Sequence, residues 1–147
     1  MEIGGLPLHP LVIHAAVVFG PLAALCALAY ALAGRWRDRL RWPMVALAVV
    51  ATGSIVAAYL TGQNFLESRP ELGTNPLVQT HEASAKLLLW VALAFGAVSV
   101  LAGWLHARTG ATQVVLRAAL AVAALAVLVQ VVRTGDAGTR AVWEVLG

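Results

Sequence analysis

Four long apolar runs dominate the pattern of hydrophobic and polar positions along this chain. They cover roughly residues 11–33, 43–62, 82–106 and 113–132, and short polar connections separate them. A membrane-spanning helix needs about 20 mostly apolar residues, so each run is long enough to cross a bilayer once. Lipid offers the backbone no hydrogen-bonding partners, and the runs are therefore expected to be helical. The pattern predicts an all-α integral membrane protein, a bundle of four transmembrane helices.

The composition agrees with this prediction and limits what else the chain can contain. Hydrophobic residues make up 61% and charged residues 12%, and the mean hydropathy is +0.83. Soluble domains are typically about 45–50% apolar and about 25% charged. Four spans leave little chain over, so residues 1–147 are predicted to form one domain without a water-soluble catalytic part. We expect a protein that is not an enzyme, with any binding site in the bundle or at its rim.

The charged residues are distributed unevenly among the connections. Four arginines lie between the first and second runs, and two follow the third; they are Arg35, Arg37, Arg39, Arg41, Arg108 and Arg117. The formal net charge is +3, but these residues sit in short loops between apolar segments, which does not indicate nucleic-acid binding. By the positive-inside rule both arginine-bearing connections are cytoplasmic. Both termini and the second connection are then expected outside.

Three of the four histidines belong to the part that this topology places outside. His9 and His14 stand at the start of the first span and His81 at the start of the third, whereas His106 is at the cytoplasmic end. Ionisable side chains within membrane segments are costly and usually face a partner or the bundle interior. Imidazole is the commonest metal ligand and a frequent haem ligand. We expect His14 and His81 to ligate b-type haem, with His9 as a neighbouring or alternative ligand and His106 dispensable.

Haem would also need positive charge near its propionates and space for its macrocycle. Arg69, Arg133 and Arg140 lie in the outer segments and could neutralise the propionates. The glycines that could make room are Gly20, Gly62 and Gly96. The chain has a single cysteine, so covalent haem attachment through a cysteine pair is excluded.

Two other interpretations remain open. His9, His14 and His81, with Glu82 or Asp136, have the donor types of a tetrahedral zinc or copper site. Histidines near a membrane interface are also common as polar anchors or helix caps. That interpretation leads to a cofactor-free structural or accessory subunit of a larger membrane complex. A small transporter fits less well, because the spans lack buried charge and paired broken helices.

The residues around these histidines resemble a known family. The stretch LPLHPLVIHAAVVFGPLAAL is similar to the opening of the bacterial membrane-protein family called domain of unknown function 2231. Its members often begin with a His-Pro pair, a second histidine and a proline inside the first helix. The matching residues are His9, Pro10, His14 and Pro21, although Pro21 comes later than the family's usual proline. His81 at the start of the third span and the ending TGDAGTRAVW also match.

The resemblance covers nearly the whole chain and implies a redox role. Some relatives are fused to Rieske-type or c-type cytochrome domains, which implies electron exchange with a membrane or extracytoplasmic redox protein. It also implies the cytoplasmic membrane of a bacterium. The function expected is electron transfer through b-type haem near the outer face, with a zinc or copper site as the alternative.

Overall fold

The computed structural model describes residues 2–3 and 6–146, and nearly all of them belong to four long helices. The helices are α1 (Leu8–Leu32), α2 (Arg37–Glu67), α3 (Pro76–Trp104) and α4 (Gly110–Leu146). Two short strands, β1 (Glu2–Ile3) and β2 (Leu6–Pro7), pair antiparallel before α1. Each long helix contains a stretch long and apolar enough to cross a membrane. The predicted class, an all-α bundle of four transmembrane helices, is therefore confirmed.

Local residue choices account for the connections between the helices. Short 3-10 turns at Gly34–Trp36 and Pro70–Thr74 follow α1 and α2. Asn75 caps α3, because its side-chain oxygen accepts a hydrogen bond of 2.8 Å from the backbone N–H of Leu77. Gly110 begins α4 with φ +65°, a backbone angle that glycine adopts without the steric cost of a Cβ.

The helices extend beyond the spans expected from hydropathy. α2 has 31 residues and α4 has 37, which at 1.5 Å per residue correspond to about 46 and 55 Å. The hydrocarbon layer of a bilayer is only about 30 Å thick. Both helices therefore project into the headgroup layers or beyond. The polar segment after the fourth apolar run is part of α4.

The helices follow one another around the bundle. α1 packs against α2 and α4, and α3 packs against the same two helices, so α1 and α3 stand on one diagonal. The N-termini of α1 and α3 lie at the same end, which we call the histidine end after His9 and His81. The opposite end, with Arg35–Arg41 and His106, is called the arginine end.

Small residues allow the helices to approach closely. The fully buried positions include Ala23, Ala27 and Ala48, and a Cβ added to Gly96 would lie 2.7 Å from the Thr52 hydroxyl oxygen on α2. Close backbone approach of this kind drives helix association in lipid, where burying apolar surface brings little advantage. Many large apolar side chains instead point outward from the bundle, as expected of a surface that faces acyl chains.

Candidate functional site

His9 projects from the first turn of α1 onto α2. Its Nδ1 lies 3.1 Å from the carbonyl oxygen of Ala58 and 3.3 Å from the hydroxyl oxygen of Thr61. A carbonyl only accepts hydrogen bonds, and the Thr61 hydroxyl already donates to Ala57 at 2.8 Å. Nδ1 must therefore carry the proton and donate. In a neutral imidazole this leaves the Nε2 lone pair available to a ligand.

His81 has the corresponding arrangement on the diagonal helix. It lies in the second turn of α3, and its Nδ1 donates to the carbonyl oxygen of Thr134 on α4 at 3.2 Å. The Thr134 hydroxyl donates in turn to the carbonyl of Ser84 at 3.2 Å, and Gln130 donates to the same carbonyl at 3.1 Å. These bonds hold α3 and α4 together beside the ring. In a neutral ring this bond again leaves the Nε2 lone pair, for which the described residues supply no hydrogen-bond partner.

The two histidines occupy matching positions in the two helical hairpins. In each hairpin the ring covers a glycine four residues after the accepting carbonyl: Gly62 follows Ala58, and Gly138 follows Thr134. A Cβ on Gly62 would lie 2.9 Å from Cε1 of His9, and one on Gly138 would lie 3.0 Å from Cε1 of His81. We call each set of histidine, carbonyl and glycine a histidine seat. Two such seats lie on opposite sides of the bundle axis.

The environment of His9 favours its neutral form. His9 precedes the apolar stretch Val12–Leu32 and is half-buried. Burial lowers the pKa of His9, the hydrogen bond to the Ala58 carbonyl opposes this, and a charge on His81 lowers the pKa further. Neutral imidazole is also the form that binds a metal.

The structure does not place His14 in this arrangement. Its side chain is exposed, and its Nδ1 donates to the Pro10 carbonyl of its own helix at 2.7 Å. Five residues separate His9 from His14, which turns them about 140° apart around a helix. Because His9 faces α2 and the bundle interior, His14 faces away from it. The structure therefore packs His9, rather than His14, against a neighbouring helix.

The other polar residues expected at the site have specific partners. The guanidinium of Arg69 lies 5.1 Å from the centre of the Phe65 ring, which stacks on His9 at a centroid distance of 6.3 Å. Arg140 donates to Asp136 one turn earlier on α4 at 3.0 Å, and Gln63 donates to Glu82 at 3.2 Å. Arg133 is exposed. Within the described residues, no three His, Cys, Asp or Glu side chains converge as a metal site would require.

The glycines expected to admit a macrocycle are filled by other side chains. The space over Gly62 holds the His9 ring, that over Gly96 holds Thr52, and that over Gly20 holds Val131 at 3.2 Å from an added Cβ. Gly62 therefore positions an imidazole, and none of the three glycines makes room for haem. Two imidazoles are donors of the type that b-type haem takes from a protein, whereas an ion held by protein groups alone would need more donors than the described residues bring together.

Sequence reasoning missed the partners of His106 at the arginine end. Its Nδ1 lies 2.9 Å from the hydroxyl oxygen of Tyr30 on α1, and its Nε2 lies 2.8 Å from a carboxylate oxygen of Asp38 on α2. Tyr30 is almost fully buried, and its hydroxyl also lies 3.1 Å from the Ala102 carbonyl. His106 therefore joins the ends of three helices, and it lies at the opposite end of the bundle from the two seats.

Four apolar helices with polar ends define a polytopic α-helical membrane protein. The chain belongs to the family of predicted membrane proteins called DUF2231, whose profile matches residues 5–146. This confirms the resemblance seen in the sequence. No curated protein and no solved structure matches the chain.

Proposed function

We propose that this protein is a membrane metal-binding protein that carries electrons, with b-type haem ligated by His9 and His81 at the histidine end. The observation that carries the proposal is the pair of histidine seats. In both, a backbone carbonyl accepts a hydrogen bond from the Nδ1–H group, which leaves the Nε2 lone pair of the neutral ring for a ligand. Metal-ligating histidines are commonly held by such a bond, which fixes the tautomer and the ring orientation.

The diagonal placement of α1 and α3 supports haem over a smaller centre. Cofactor sites in helix bundles are built from side chains on facing helices. On this arrangement α1 would contribute one imidazole, from His9, and α3 the other, from His81, to hold the group. When bound, haem would supply reversible one-electron transfer at the iron. The protein's part is to hold two neutral imidazoles in place and to exclude lipid and water.

Charged residues at the same end suit the haem propionates. Arg69 reaches the neighbourhood of His9 through Phe65, on which its guanidinium lies. Guanidinium groups form strong bidentate bonds with carboxylates. Arg140 would have to exchange its bond with Asp136 for a propionate, so Arg69 is the better candidate. His14, the ligand first expected with His81, remains as an alternative that mutation can test.

The test is to express the chain with ample haem, purify it in detergent and record absorption spectra with a pyridine haemochrome assay. We expect a low-spin spectrum with a sharp α-band on reduction. His9→Ala and His81→Ala should each lose that signal, because one of the two imidazoles that would hold the haem is then missing. His14→Ala and His106→Ala are the matched controls and should retain it. If the low-spin signal is lost in His14→Ala but kept in His9→Ala, the ligands are His14 and His81, the pair expected from the sequence.

Elemental analysis of the same samples separates the haem proposal from its alternatives. Colourless protein with stoichiometric zinc or copper, lost in both His9→Ala and His81→Ala, would replace haem with a small metal site. Colourless and metal-free protein would overturn the metal-binding proposal.

A cofactor-free structural or accessory subunit is the second candidate. A separate observation favours it: the His9 ring packs directly on Gly62 of α2, and the His81 ring packs directly on Gly138 of α4. Each histidine thereby joins two helices without any ligand. On this proposal His9→Ala and His81→Ala would lower the stability of protein that never contained a cofactor.

A further inference from the structure

The arginine end carries a strong excess of positive charge. Six arginines are found there, Arg35, Arg37, Arg39, Arg41, Arg108 and Arg117, against one acid, Asp38. The Asp38 carboxylate lies 2.8 Å from Nε2 of His106. The acid nearest to the arginines is therefore already bonded to a histidine.

Three of these arginines form hydrogen bonds to backbone carbonyls of other segments and so hold the helices together. Arg117 donates to the carbonyl of Ala31 at 2.5 Å, near the end of α1. Arg41 donates to the carbonyl of Gly103 at 2.9 Å, near the end of α3. Arg37 likewise donates to the carbonyl of His106 at 2.7 Å. Carbonyls at helix C-termini lack partners within the helix, and positive charge there is favourable.

The other three arginines have no such role. Arg35, Arg39 and Arg108 are exposed, and within the described part of the chain their guanidinium groups make no hydrogen bond or ion pair. Arg35 lies over the ring of Trp36, 5.7 Å from its centre. These three side chains, which we call the free arginines, keep their donors available to an external anion.

Exposed tryptophans indicate the layer in which these arginines lie. Trp36, Trp42 and Trp104 are 45%, 65% and 80% exposed, and all three belong to the arginine end. Tryptophan is enriched at the depth of lipid headgroups, where its ring meets both apolar and polar surroundings. The free arginines are therefore at or just beyond the level of the phosphate groups.

We propose that the free arginines bind anionic phospholipid headgroups. Guanidinium groups pair with phosphate oxygens in a bidentate geometry, and basic clusters beside membrane helices attract anionic lipid. The division of roles among the six arginines makes this surface distinct from the contacts that hold the bundle. It is also separate from the histidine end and does not depend on a cofactor.

Native mass spectrometry of the detergent-solubilised protein tests the proposal. The protein is titrated with phosphatidylglycerol or phosphatidylcholine, and the bound fraction is compared. We expect phosphatidylglycerol to bind more tightly. The triple variant Arg35→Gln, Arg39→Gln, Arg108→Gln should lose affinity for it by roughly a hundredfold, or about fivefold for each arginine. The single variants provide the same test if the triple variant does not fold.

A variant of equal charge provides the control. Arg69→Gln, Arg133→Gln, Arg140→Gln removes three arginines from the histidine end and should leave phosphatidylglycerol binding within about threefold of the wild type. Equal loss in both triple variants, or equal binding of the two lipids, would overturn the proposal. Competition by millimolar inorganic phosphate as effective as that by phosphatidylglycerol would also overturn it, since the site would then recognise free phosphate rather than lipid.

Discussion

At the scale of single residues, the glycines of the histidine seats matter as much as the histidines. A helical glycine normally weakens a helix by roughly 0.5–1 kcal/mol relative to alanine. At Gly62 and Gly138 alanine would not bring the usual gain in stability, because an imidazole ring occupies the space that the alanine methyl group would need. Gly53 and Gly135, on the same two helices, have no atom within 4 Å of an added Cβ.

Gly62→Ala and Gly138→Ala should each lower the stability of the folded protein by about 1–3 kcal/mol, as overpacking does. The new methyl group would lie 2.9 or 3.0 Å from an imidazole carbon, so the ring must move and its Nδ1 bond must lengthen. Thermal unfolding in detergent measures the effect. Gly53→Ala and Gly135→Ala are the paired controls and should be neutral or slightly stabilising. Equal behaviour of all four variants would show that the rings are not seated on the glycines.

The protonation of His9 should depend on its burial and on His81. We expect His9 in the cofactor-free protein to titrate below its ordinary pKa of 6.5, mainly because burial disfavours the charged ring. His81→Ala should raise the pKa of His9, because it removes the positive charge that a protonated His81 places near His9. Burial should still keep the pKa of His9 below 6.5. Imidazole proton shifts in NMR spectra measure both values.

The lowered pKa of His9 makes the stability of the folded protein depend on pH. A lowered folded pKa means that the unfolded chain binds the proton more readily than the folded protein does. His9 therefore costs no stability above pH 6.5, and stability is lost as pH falls from 6.5 through the lowered folded value. In His9→Gln this part of the acid dependence should vanish from thermal unfolding curves recorded between pH 8 and 5. An unchanged dependence would mean that His9 is solvated as in the unfolded chain.

At the scale of helices, hydrogen bonds of different kinds join the helices at the two ends of the bundle. The histidine seats join α1 to α2 and α3 to α4, whereas Tyr30, Asp38 and His106 join α1, α2 and α3 at the arginine end. Between the ends small apolar residues dominate the contacts, and the Thr52 hydroxyl on α2 donates to the Ala92 carbonyl on α3 at 3.1 Å. Polar bonds between membrane helices are commonly worth only about 1 kcal/mol each, so their main effect is to select one rotation of each helix.

Tyr30→Phe should therefore destabilise the bundle by roughly 1–3 kcal/mol, because the hydroxyl is lost while the Ala102 carbonyl and the His106 ring remain without it. Tyr59→Phe is the matched control, since no hydrogen bond of the Tyr59 hydroxyl occurs in the described residues. Unfolding temperature reports the stability. The spectra and metal content of the histidine end should not change in either variant, and a change with Tyr30→Phe would mean that the two ends are coupled.

At the scale of the whole molecule, the charge distribution predicts the orientation in the membrane. The arginine end is expected to face the cytoplasm, and the histidine end with both chain termini is expected outside. Reporter fusions after Arg39 and after Gly147 should then report opposite compartments. Fusions that report the same compartment would contradict four spans in this arrangement, whichever side the arginines face. An outer histidine end is also what exchange with an extracytoplasmic redox partner requires.

The sequence by itself determined the number of spans, the family and the end of the bundle at which each histidine lies. Length and hydropathy decide whether a helix crosses a bilayer. Because the chain crosses twice between the start of α1 and the start of α3, both helices start at the same end of the bundle. Those properties need no knowledge of side-chain contacts. They were sufficient to group His9, His14 and His81 and to separate them from His106.

Only the tertiary structure decided which histidines pack against a neighbouring helix. These helices are apolar on nearly every side, so the sequence pattern carries little signal about which face turns inward. Rotation is set by contacts between distant residues, such as His9 with Ala58 or His106 with Tyr30. A rotation of about 140° separates His9 from His14 on one helix. Packing against α2 therefore selected His9 for the contact with that helix, and hydropathy could not distinguish the two histidines.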